Sequence, residues 1–207
     1  MSGGYSKSSR RWLREHFSDP YVKQAQREGY RSRAVYKLLE IHERDRLFKQ
    51  NAVVIDLGAA PGSWSQLLTR LVGPKGRVIA VDILSFDPMP GVEIIQGDFS
   101  EQAVVDTVLE KLGSIKADWV VSDMLPDMSG LDSVDQPRSL ELASCALEFA
   151  KEVLSPEGGL LIKVFQGEGF DEFLRELRAF FVKVSIRKPK ASRDRSREVY
   201  LLARGIK

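Results

Sequence analysis

Five short apolar runs constrain the fold of this 207-residue chain most strongly. Turns and segments without a continuous apolar run separate them. Their sequences are "NAVVIDLG" (51–58), "GRVIAVDI" (76–83), "VEIIQGDF" (92–99), "ADWVVSDM" (117–124) and "GGLLIKVFQ" (158–166). Strands that alternate with helices predict an α/β fold with a right-handed, doubly wound, mostly parallel sheet and helices on both faces. Ligands of such sheets bind at the carboxyl ends of the strands.

The segments around these runs carry helical spacing. One helix is predicted from the apolar face formed by Val35, Leu38, Leu39 and Ile41, with Ser32 as its cap. Further helices are predicted over 63–73 (closed by a glycine), 100–113 (capped), 137–155 and 170–181.

Two features of the second half of the chain concern loops and the tail. The stretch 124–136 is predicted to be an active-site loop. The last apolar runs, "VKVSIRKP" (182–189) and "REVYLLARG" (197–205), have no helix between them. They therefore predict an antiparallel C-terminal hairpin, which brings the sheet to seven strands.

The composition is that of an ordinary globular protein, with 43% hydrophobic and 29% charged residues. We expect a single domain over residues 1–207, in which 1–31 form a basic, partly flexible extension. Cys145 is expected to be a buried helix residue, and His16 and His42 lie far apart, so neither a disulfide nor a metal site is predicted. Without an apolar stretch of roughly 18 residues or a secretory signal, the chain is expected in the cytoplasm and away from membranes.

The net charge of +2 hides an uneven distribution. Residues 1–37 hold nine Lys or Arg against three Asp or Glu, and residues 187–207 hold eight against two, whereas the segment between them is acidic. Two basic ends around an acidic body suggest that a polyanion is held at the edges of a site. The arginines expected to bind phosphate groups are Arg10, Arg11, Arg14, Arg31, Arg33, Arg193, Arg195 and Arg197.

The turn "DLGAAPGSW" (56–64) follows a strand and opens a helix, a context in which glycines let the backbone approach a ligand. It differs from the G-x-G-x-x-G pattern of dinucleotide sites, because Asp56 ends the strand and Pro61 stiffens the turn. A carboxylate at this position suits a ligand with an ammonium or sulfonium charge.

Acidic residues also end three further predicted strands. Asp82 lies 26 residues after Asp56 and is placed to accept hydrogen bonds from ribose hydroxyls. Asp98 could accept from an adenine amino group, with Phe99 as an apolar neighbour of the ring. Together with Asp123, these carboxylates favour S-adenosylmethionine over NAD as the cofactor.

Lys163 lies in the middle of the fifth apolar run, where an unpaired ammonium group would be costly. Its strand is predicted beside the one that ends at Asp123. Methyl transfer to a hydroxyl needs a proton acceptor, and a lysine takes that role only when neutral, a state that burial and a second cation favour. Lys37 and Glu198 are candidates to complete the site, but spacing alone does not bring the four together.

Six motifs together resemble one known family. They are "SRAVYKLLEI", "DLGAAPGSWSQ", "QGDF", "SDMLPDMSG", "KVFQGEGFDEFL" and "SREVYLLA", and they extend over nearly the whole chain. The sequence resembles the FtsJ/RrmJ (RlmE) family of ribosomal RNA 2′-O-ribose methyltransferases. The resemblance implies a Rossmann-like methyltransferase fold that uses S-adenosylmethionine.

The resemblance also implies the residues of the site. A Lys-Asp-Lys-Glu tetrad falls on Lys37, Asp123, Lys163 and Glu198. Lys163 would be the base, Asp123 and Lys37 would position it, and Glu198 would orient the lysine and the ribose. The cofactor is expected to contact Asp56, Gly58, Ala59, Pro61, Gly62, Trp64, Asp82, Ile83, Asp98, Phe99 and Asp123.

The implied substrate is a uridine ribose in the peptidyl-transferase A loop of large-subunit ribosomal RNA, modified in the assembled subunit by a monomer without an obligate protein partner. Ser63 departs from the family pattern, where glycine is frequent, as do Leu125 and Asp127, where alanine and asparagine are usual. Asp127 adds negative charge on the substrate side. Ribose methylation of transfer RNA or another RNA, and a non-catalytic role in ribosome assembly, stay open as alternatives.

Overall fold

A computed structural model describes residues 19–126, 129, 131–193 and 196–207 of the protein. The strands in these ranges are β1 (Val53–Leu57), β2 (Arg77–Asp82), β3 (Val92–Gln96), β4 (Ala117–Ser122), β5 (Leu154–Phe165), β6 (Phe181–Arg187) and β7 (Glu198–Ile206). They form one sheet in the order β3-β2-β1-β4-β5-β7-β6. β1 to β5 are parallel, and β7 pairs antiparallel with both β5 and β6. The predicted doubly wound sheet with an antiparallel C-terminal hairpin is confirmed.

The helices lie on both faces of this sheet. They are α1 (Pro20–Glu28), α2 (Val35–Asp45), α3 (Ser63–Val72), α4 (Gln102–Leu112), α5 (Asp132–Val153) and α6 (Phe170–Phe180). α1 lies in the segment predicted as a basic extension and was not itself predicted. It begins after Asp19, whose carboxylate accepts the N–H of Tyr21 at 2.9 Å, and it ends at Gly29 with a φ of 73°.

The caps of two helices differ from prediction. α2 is preceded by Ala34, and the hydroxyl of Ser32 instead lies 2.8 Å from the hydroxyl of Ser63 at the start of α3. α4 is preceded by Glu101. No side chain within the described ranges caps the N-terminus of either helix. Packing of their apolar faces therefore holds these helices in place.

The helix α5 is longer than its sequence pattern indicated. It begins at Asp132, so the predicted loop 124–136 ends earlier than expected, and Pro137 lies inside the helix. A proline is favoured at a helix start, which is why the pattern placed the boundary there. β5 likewise begins at Leu154, four residues before the predicted strand, and its register against β4 is irregular at that end.

Two buried clusters cover the two faces of the sheet. Ile55 belongs to the cluster that packs against α4, α5 and α6, and its neighbour Val54 belongs to the cluster that packs against α2 and α3. Successive residues of a strand point to opposite faces, which explains the division. Lys163 is two residues from Leu161, a member of the second cluster, and so faces α2.

Candidate active site

Lys163 and Asp123 form an ion pair at the carboxyl ends of β4 and β5. The Lys163 side chain is 5% exposed, and its Nζ lies 3.1 Å from Oδ1 of Asp123. The same ammonium group donates to the backbone carbonyl of Asp123. The amine is therefore buried in a polar contact and does not extend into solvent.

The pairing of β5 with β7 places a square of side chains on one face of the sheet. Lys163 lies opposite Tyr200, and Phe165 lies opposite Glu198. Residues two apart in a strand share a face, and so do residues directly opposed in an antiparallel pair. Glu198 and Tyr200 therefore lie beside Lys163 because β7 pairs antiparallel with β5.

Lys37 reaches the same face from α2. Its Nζ lies 2.8 Å from Oε1 and 2.9 Å from Oε2 of Glu198, and the hydroxyl of Ser192 donates to Oε1 at 2.7 Å. The two charged side chains are only 15% and 11% exposed, so water screens this pair less than a surface ion pair. The structure brings the four tetrad residues together as two pairs, Lys37 with Glu198 and Lys163 with Asp123. Glu198 was expected to orient Lys163, and it contacts Lys37 instead.

Tyr200 connects the two pairs, although the sequence analysis did not single it out. Its hydroxyl donates to Oδ1 of Asp123 at 2.7 Å, and Nζ of Lys37 lies 5.8 Å from its ring centre. Burial, reinforced by Asp123 and Glu198, raises the pKa of Tyr200 well above its ordinary value, so the hydroxyl keeps its proton. Burial also raises the pKa of Asp123, but Lys163 and Lys37 outweigh that effect and hold it below its ordinary value.

An open cavity of about 570 Å³ lies beside the two ion pairs. This volume is within the range of sites for small molecules and cofactors. Its walls combine three residues of the tetrad with apolar and basic side chains; they include Lys37, Lys163, Glu198, Phe165, Leu125, Arg33 and Arg193.

The loop after β1 packs closely against the chain after β4. Gly58 and Gly62 have φ values of 75° and 97°. A Cβ on Gly58 would lie 2.8 Å from the backbone of Met124, so a larger residue would displace the chain after β4. The N–H groups of Gly58 and Ala59 both donate to the carbonyl of Val81, which ties this loop to β2.

Asp56 is fully buried beneath this loop. Its Oδ2 accepts the hydroxyl of Ser65 at 2.6 Å, whereas Oδ1 has no hydrogen-bond partner in the described part of the chain. Burial raises the pKa of Asp56 to about 7, against the effect of Ser65 and with the help of Asp123 and Asp82. A buried acceptor without a donor is costly, and a cationic ligand above the loop would lower that cost.

Two further carboxylates stand at the ends of β2 and β3. Asp82 accepts the N–H groups of Ala60 and Leu84, both at 2.8 Å, and so fixes the two loops that flank it. Asp98 accepts the hydroxyl and the N–H of Ser100 at 2.7 and 2.9 Å, and these bonds lower its pKa. Carboxylate oxygens have several lone pairs, so both side chains can accept further donors.

The apolar residues predicted at the cofactor site differ in exposure. Ile83 is 61% exposed at the end of β2. Trp64 is 2% exposed, and its indole N–H donates to the carbonyl of Ala34 at 2.8 Å, so its side chain lies in the core and its cofactor contact stays a prediction. Phe99 is 6% exposed, and its ring packs edge-on against Phe149, so most of it belongs to the core.

The arginines predicted to bind RNA have different surroundings. Arg31 donates to three backbone carbonyls, and Arg33 pairs with Asp19 and donates to the carbonyl of Ala191, so both hold parts of the protein together. Arg193 and Arg197 are exposed, and Arg193 lines the cavity. The residues Arg10, Arg11, Arg14, Arg195 and Asp127 lie outside the described residues.

Two features are absent from residues 19–126, 129, 131–193 and 196–207. In these ranges no group of three or more His, Cys, Asp or Glu is placed to hold a metal ion. No helix in the same ranges is long and apolar enough to span a membrane. Cys145 lies in α5 and is half-buried rather than fully buried as predicted.

The strand order, the antiparallel β7 and the glycine turn after β1 define a Rossmann-like methyltransferase fold. The chain belongs to the FtsJ-like methyltransferase family, whose model matches residues 30–206. It is therefore a methyltransferase, and S-adenosylmethionine is its methyl donor, as predicted.

Named relatives and solved structures resemble the chain over most of its length. It is 58% identical over 202 residues to "Ribosomal RNA large subunit methyltransferase E" of Pseudomonas paraeruginosa, with 98% of each chain covered. The Pseudomonas fluorescens protein of that name is also 58% identical, with 98% of this chain and 97% of the relative covered.

Two solved structures extend the comparison. A Plasmodium falciparum protein described as a ribosomal RNA methyltransferase is 30% identical with a TM-score of 0.78, and the match covers 86% of this chain and 98% of that one. Human methyltransferase-like protein 13 in complex with SAH is 17% identical with a TM-score of 0.57, over 83% and 77% of the two chains. The second likeness concerns the fold alone.

Proposed function

We propose that this methyltransferase transfers a methyl group from S-adenosylmethionine to the 2′-hydroxyl of a uridine ribose in large-subunit ribosomal RNA, within the assembled subunit. The buried pair of Lys163 and Asp123 at the cavity wall carries the proposal. A buried amine at such a wall can take the proton of a hydroxyl bound beside it. Relatives named as large-subunit ribosomal RNA methyltransferases support the choice of RNA.

The tetrad residues have separate roles in this proposal. Neutral Lys163 accepts the proton of the 2′-hydroxyl on Nζ, and Asp123 holds that nitrogen towards the cavity. The hydroxyl of Tyr200 fixes the carboxylate of Asp123. Lys37, held by Glu198, places a second cation near the same carboxylate and helps to keep Asp123 ionised.

The residues at the ends of β1 to β3 fit the cofactor. When bound, S-adenosylmethionine supplies a methyl group carried by a positively charged sulfur. Asp82 would accept from the ribose hydroxyls, Asp98 from the adenine amino group, and exposed Ile83 would cover the ring. The orphan Oδ1 of Asp56 supports a cationic ligand above the loop, because a nearby positive charge would offset the cost of the unpaired buried oxygen.

The charge distribution supports an RNA substrate in the cytoplasm, where such ribosomal particles occur. Arg193, which belongs to the basic segment 187–197, lines the cavity. Phosphate contacts at this rim would make RNA affinity fall steeply as salt concentration rises.

Labelled methyl transfer to separate RNA classes tests the proposal. We expect label in assembled large subunits, less in free large-subunit ribosomal RNA, and background label in transfer RNA. The modified linkage should resist alkaline hydrolysis, because a 2′-O-methyl group removes the attacking hydroxyl. Label that appears on a base, or that is richest in transfer RNA, would contradict the proposed acceptor.

Replacement of Glu198 by glutamine is expected to lower the rate constant for methyl transfer by about tenfold with an unchanged KM for S-adenosylmethionine. The amide keeps the shape of the side chain but leaves Lys37 without its carboxylate partner. Steady-state kinetics with varied cofactor measure the effect. Glu28→Gln is the matched control, since Glu28 bonds Tyr36 and Gln24 and is not a wall of the cavity. An unchanged rate constant in Glu198→Gln would show that the carboxylate of Glu198 has no role in methyl transfer.

A further inference from the structure

We propose that Arg31 is a positioning residue for the cofactor. Its place in the basic N-terminal segment suggested a different role, as a ligand for RNA phosphates. The inference rests on the proposed cofactor site at the ends of β1 and β2. Arg31 holds together the two loops that form this site, because its guanidinium donates to carbonyl groups of both.

The contacts of Arg31 join three segments of the chain. Nη1 donates to the carbonyl of Pro61 at 3.1 Å, in the loop after β1, and to that of Asp87 at 2.6 Å, in the loop after β2. Nη2 donates to the carbonyl of Pro88 at 3.2 Å. The guanidinium lies 5.9 Å from the ring centre of Phe86 in the same loop. A planar group with several fixed donors can bridge such carbonyls, whereas a single ammonium group cannot reach all of them.

The backbone of Arg31 is itself fixed. Its N–H donates to the side-chain oxygen of Gln66 in α3 at 2.8 Å, and the amide nitrogen of Gln66 donates to the carbonyl of Gly29 at 3.2 Å. α3 begins directly after the cofactor loop, so these hydrogen bonds connect Arg31 to the helix that follows the loop.

Packing around Gly62 shows how tightly the loops meet. A Cβ on Gly62 would lie 2.5 Å from Cε of Met89 and 2.9 Å from Nη1 of Arg31. Asp82 connects the same two loops from the other side, through the N–H of Ala60 at 2.8 Å. Arg31 and Asp82 thus both connect the loop after β1 to the loop after β2. The guanidinium N–H groups that make these contacts donate to carbonyl groups of the protein.

Calorimetric titration of the full-length protein with S-adenosylhomocysteine tests the inference. Arg31→Met is expected to weaken binding by about tenfold, the size of one lost charge-assisted hydrogen bond. Arg31→Lys keeps the charge but not the bridge, and we expect a similar loss. With S-adenosylmethionine in the methylation assay, the cofactor KM should rise by the same factor, while the rate constant at saturation and the slope of RNA affinity against salt stay unchanged.

Two control variants sharpen the result. Arg70→Met removes an arginine that lies 4.7 Å from the ring centre of neighbouring Tyr30 and should leave cofactor affinity unchanged. Arg193→Met should reduce the salt slope and spare the cofactor. The inference is overturned if Arg31→Met lowers the salt slope and leaves cofactor affinity intact, or if Arg31→Lys behaves as wild type.

The proposed cofactor site has a separate test in Asp82→Ala. If this variant binds S-adenosylhomocysteine as tightly as wild type, the site itself is misplaced, and the role of Arg31 falls with it. If Asp82→Ala binds weakly and Arg31→Met binds normally, the site stands and Arg31 has no role in positioning.

Discussion

Replacement of Lys163 by alanine is expected to lower the rate of methyl transfer by about a thousandfold, because the ribose hydroxyl would lose its proton acceptor. The loss should fall on the rate constant and not on the KM for S-adenosylmethionine, since Lys163 lies at the cavity and not at the ends of β1 to β3. Asp123 is a poor substitute as a base, because Lys163 and Lys37 hold the pKa of its carboxyl below the ordinary value. Single-turnover transfer of labelled methyl groups to large subunits measures the effect.

Two variants separate the role of Lys163 from that of its charge. Lys163→Arg keeps a cation that does not release its proton, and it is expected to be as inactive as the alanine variant. Lys151→Ala is the matched control, because Lys151 also contacts two carboxylates, Glu148 at 2.6 Å and Glu176 at 3.1 Å, but is not a wall of the cavity. Melting curves identify any variant that fails to fold. Activity of Lys163→Ala within tenfold of wild type would remove Lys163 as the base.

The pattern of apolar runs predicted the sheet and the place of the candidate site. Four of the five runs carry an aspartate at or near the carboxyl end, and the parallel arrangement brings those ends to one edge, where Asp56, Asp82 and Asp123 lie. The period-two spacing of strands also applies to β7. Tyr200 lies two residues from Glu198 and shares its face, so the same rule could have identified the hydroxyl that fixes Asp123.

Contacts between distant segments lay beyond such rules. The hydrogen bond from Ser192 to Glu198 and the three carbonyl contacts of Arg31 depend on loop geometry that spacing does not encode. Trp64 follows a cofactor-type turn and lies in the first turn of α3. Its side chain faces α2, where the carbonyl of Ala34 accepts the indole N–H. Clustered arginines likewise indicate a binding site for a polyanion only where their N–H groups are not already bonded to acceptors of the protein.

The buried carboxyl of Asp56 is expected to make stability fall as pH rises, the opposite of an ordinary ion-paired aspartate. Its pKa is raised to about 7 in the folded state, mainly by burial, against about 4 in the unfolded chain. Below pH 4 both states hold the proton and Asp56 costs nothing. Between pH 4 and 7 the unfolded state loses its proton first, so the folded state is progressively disfavoured, by roughly 4 kcal/mol above pH 7.

Asp56→Asn is therefore expected to raise the melting temperature at pH 8 by about 10 °C and to change it little near pH 4. The amide resembles the protonated carboxyl in shape and can still bond the hydroxyl of Ser65. Asp98→Asn, just after β3, is the matched control, because Ser100 lowers the pKa of Asp98 and its ionised form stabilises the fold above that pKa. A control that rises in melting temperature at pH 8 as much as Asp56→Asn would show a general charge effect.

The same carboxyl links cofactor binding to protons. A cation bound above the loop favours ionised Asp56, so wild-type affinity for S-adenosylmethionine should tighten by up to about tenfold between pH 6 and pH 8, with a proton released on binding. The affinity of Asp56→Asn should be nearly independent of pH over this interval. Titrations in two buffers of different ionisation enthalpy count the proton directly. A wild-type affinity that is flat from pH 6 to 8 would mean that the orphan oxygen of Asp56 does not sense the bound cation.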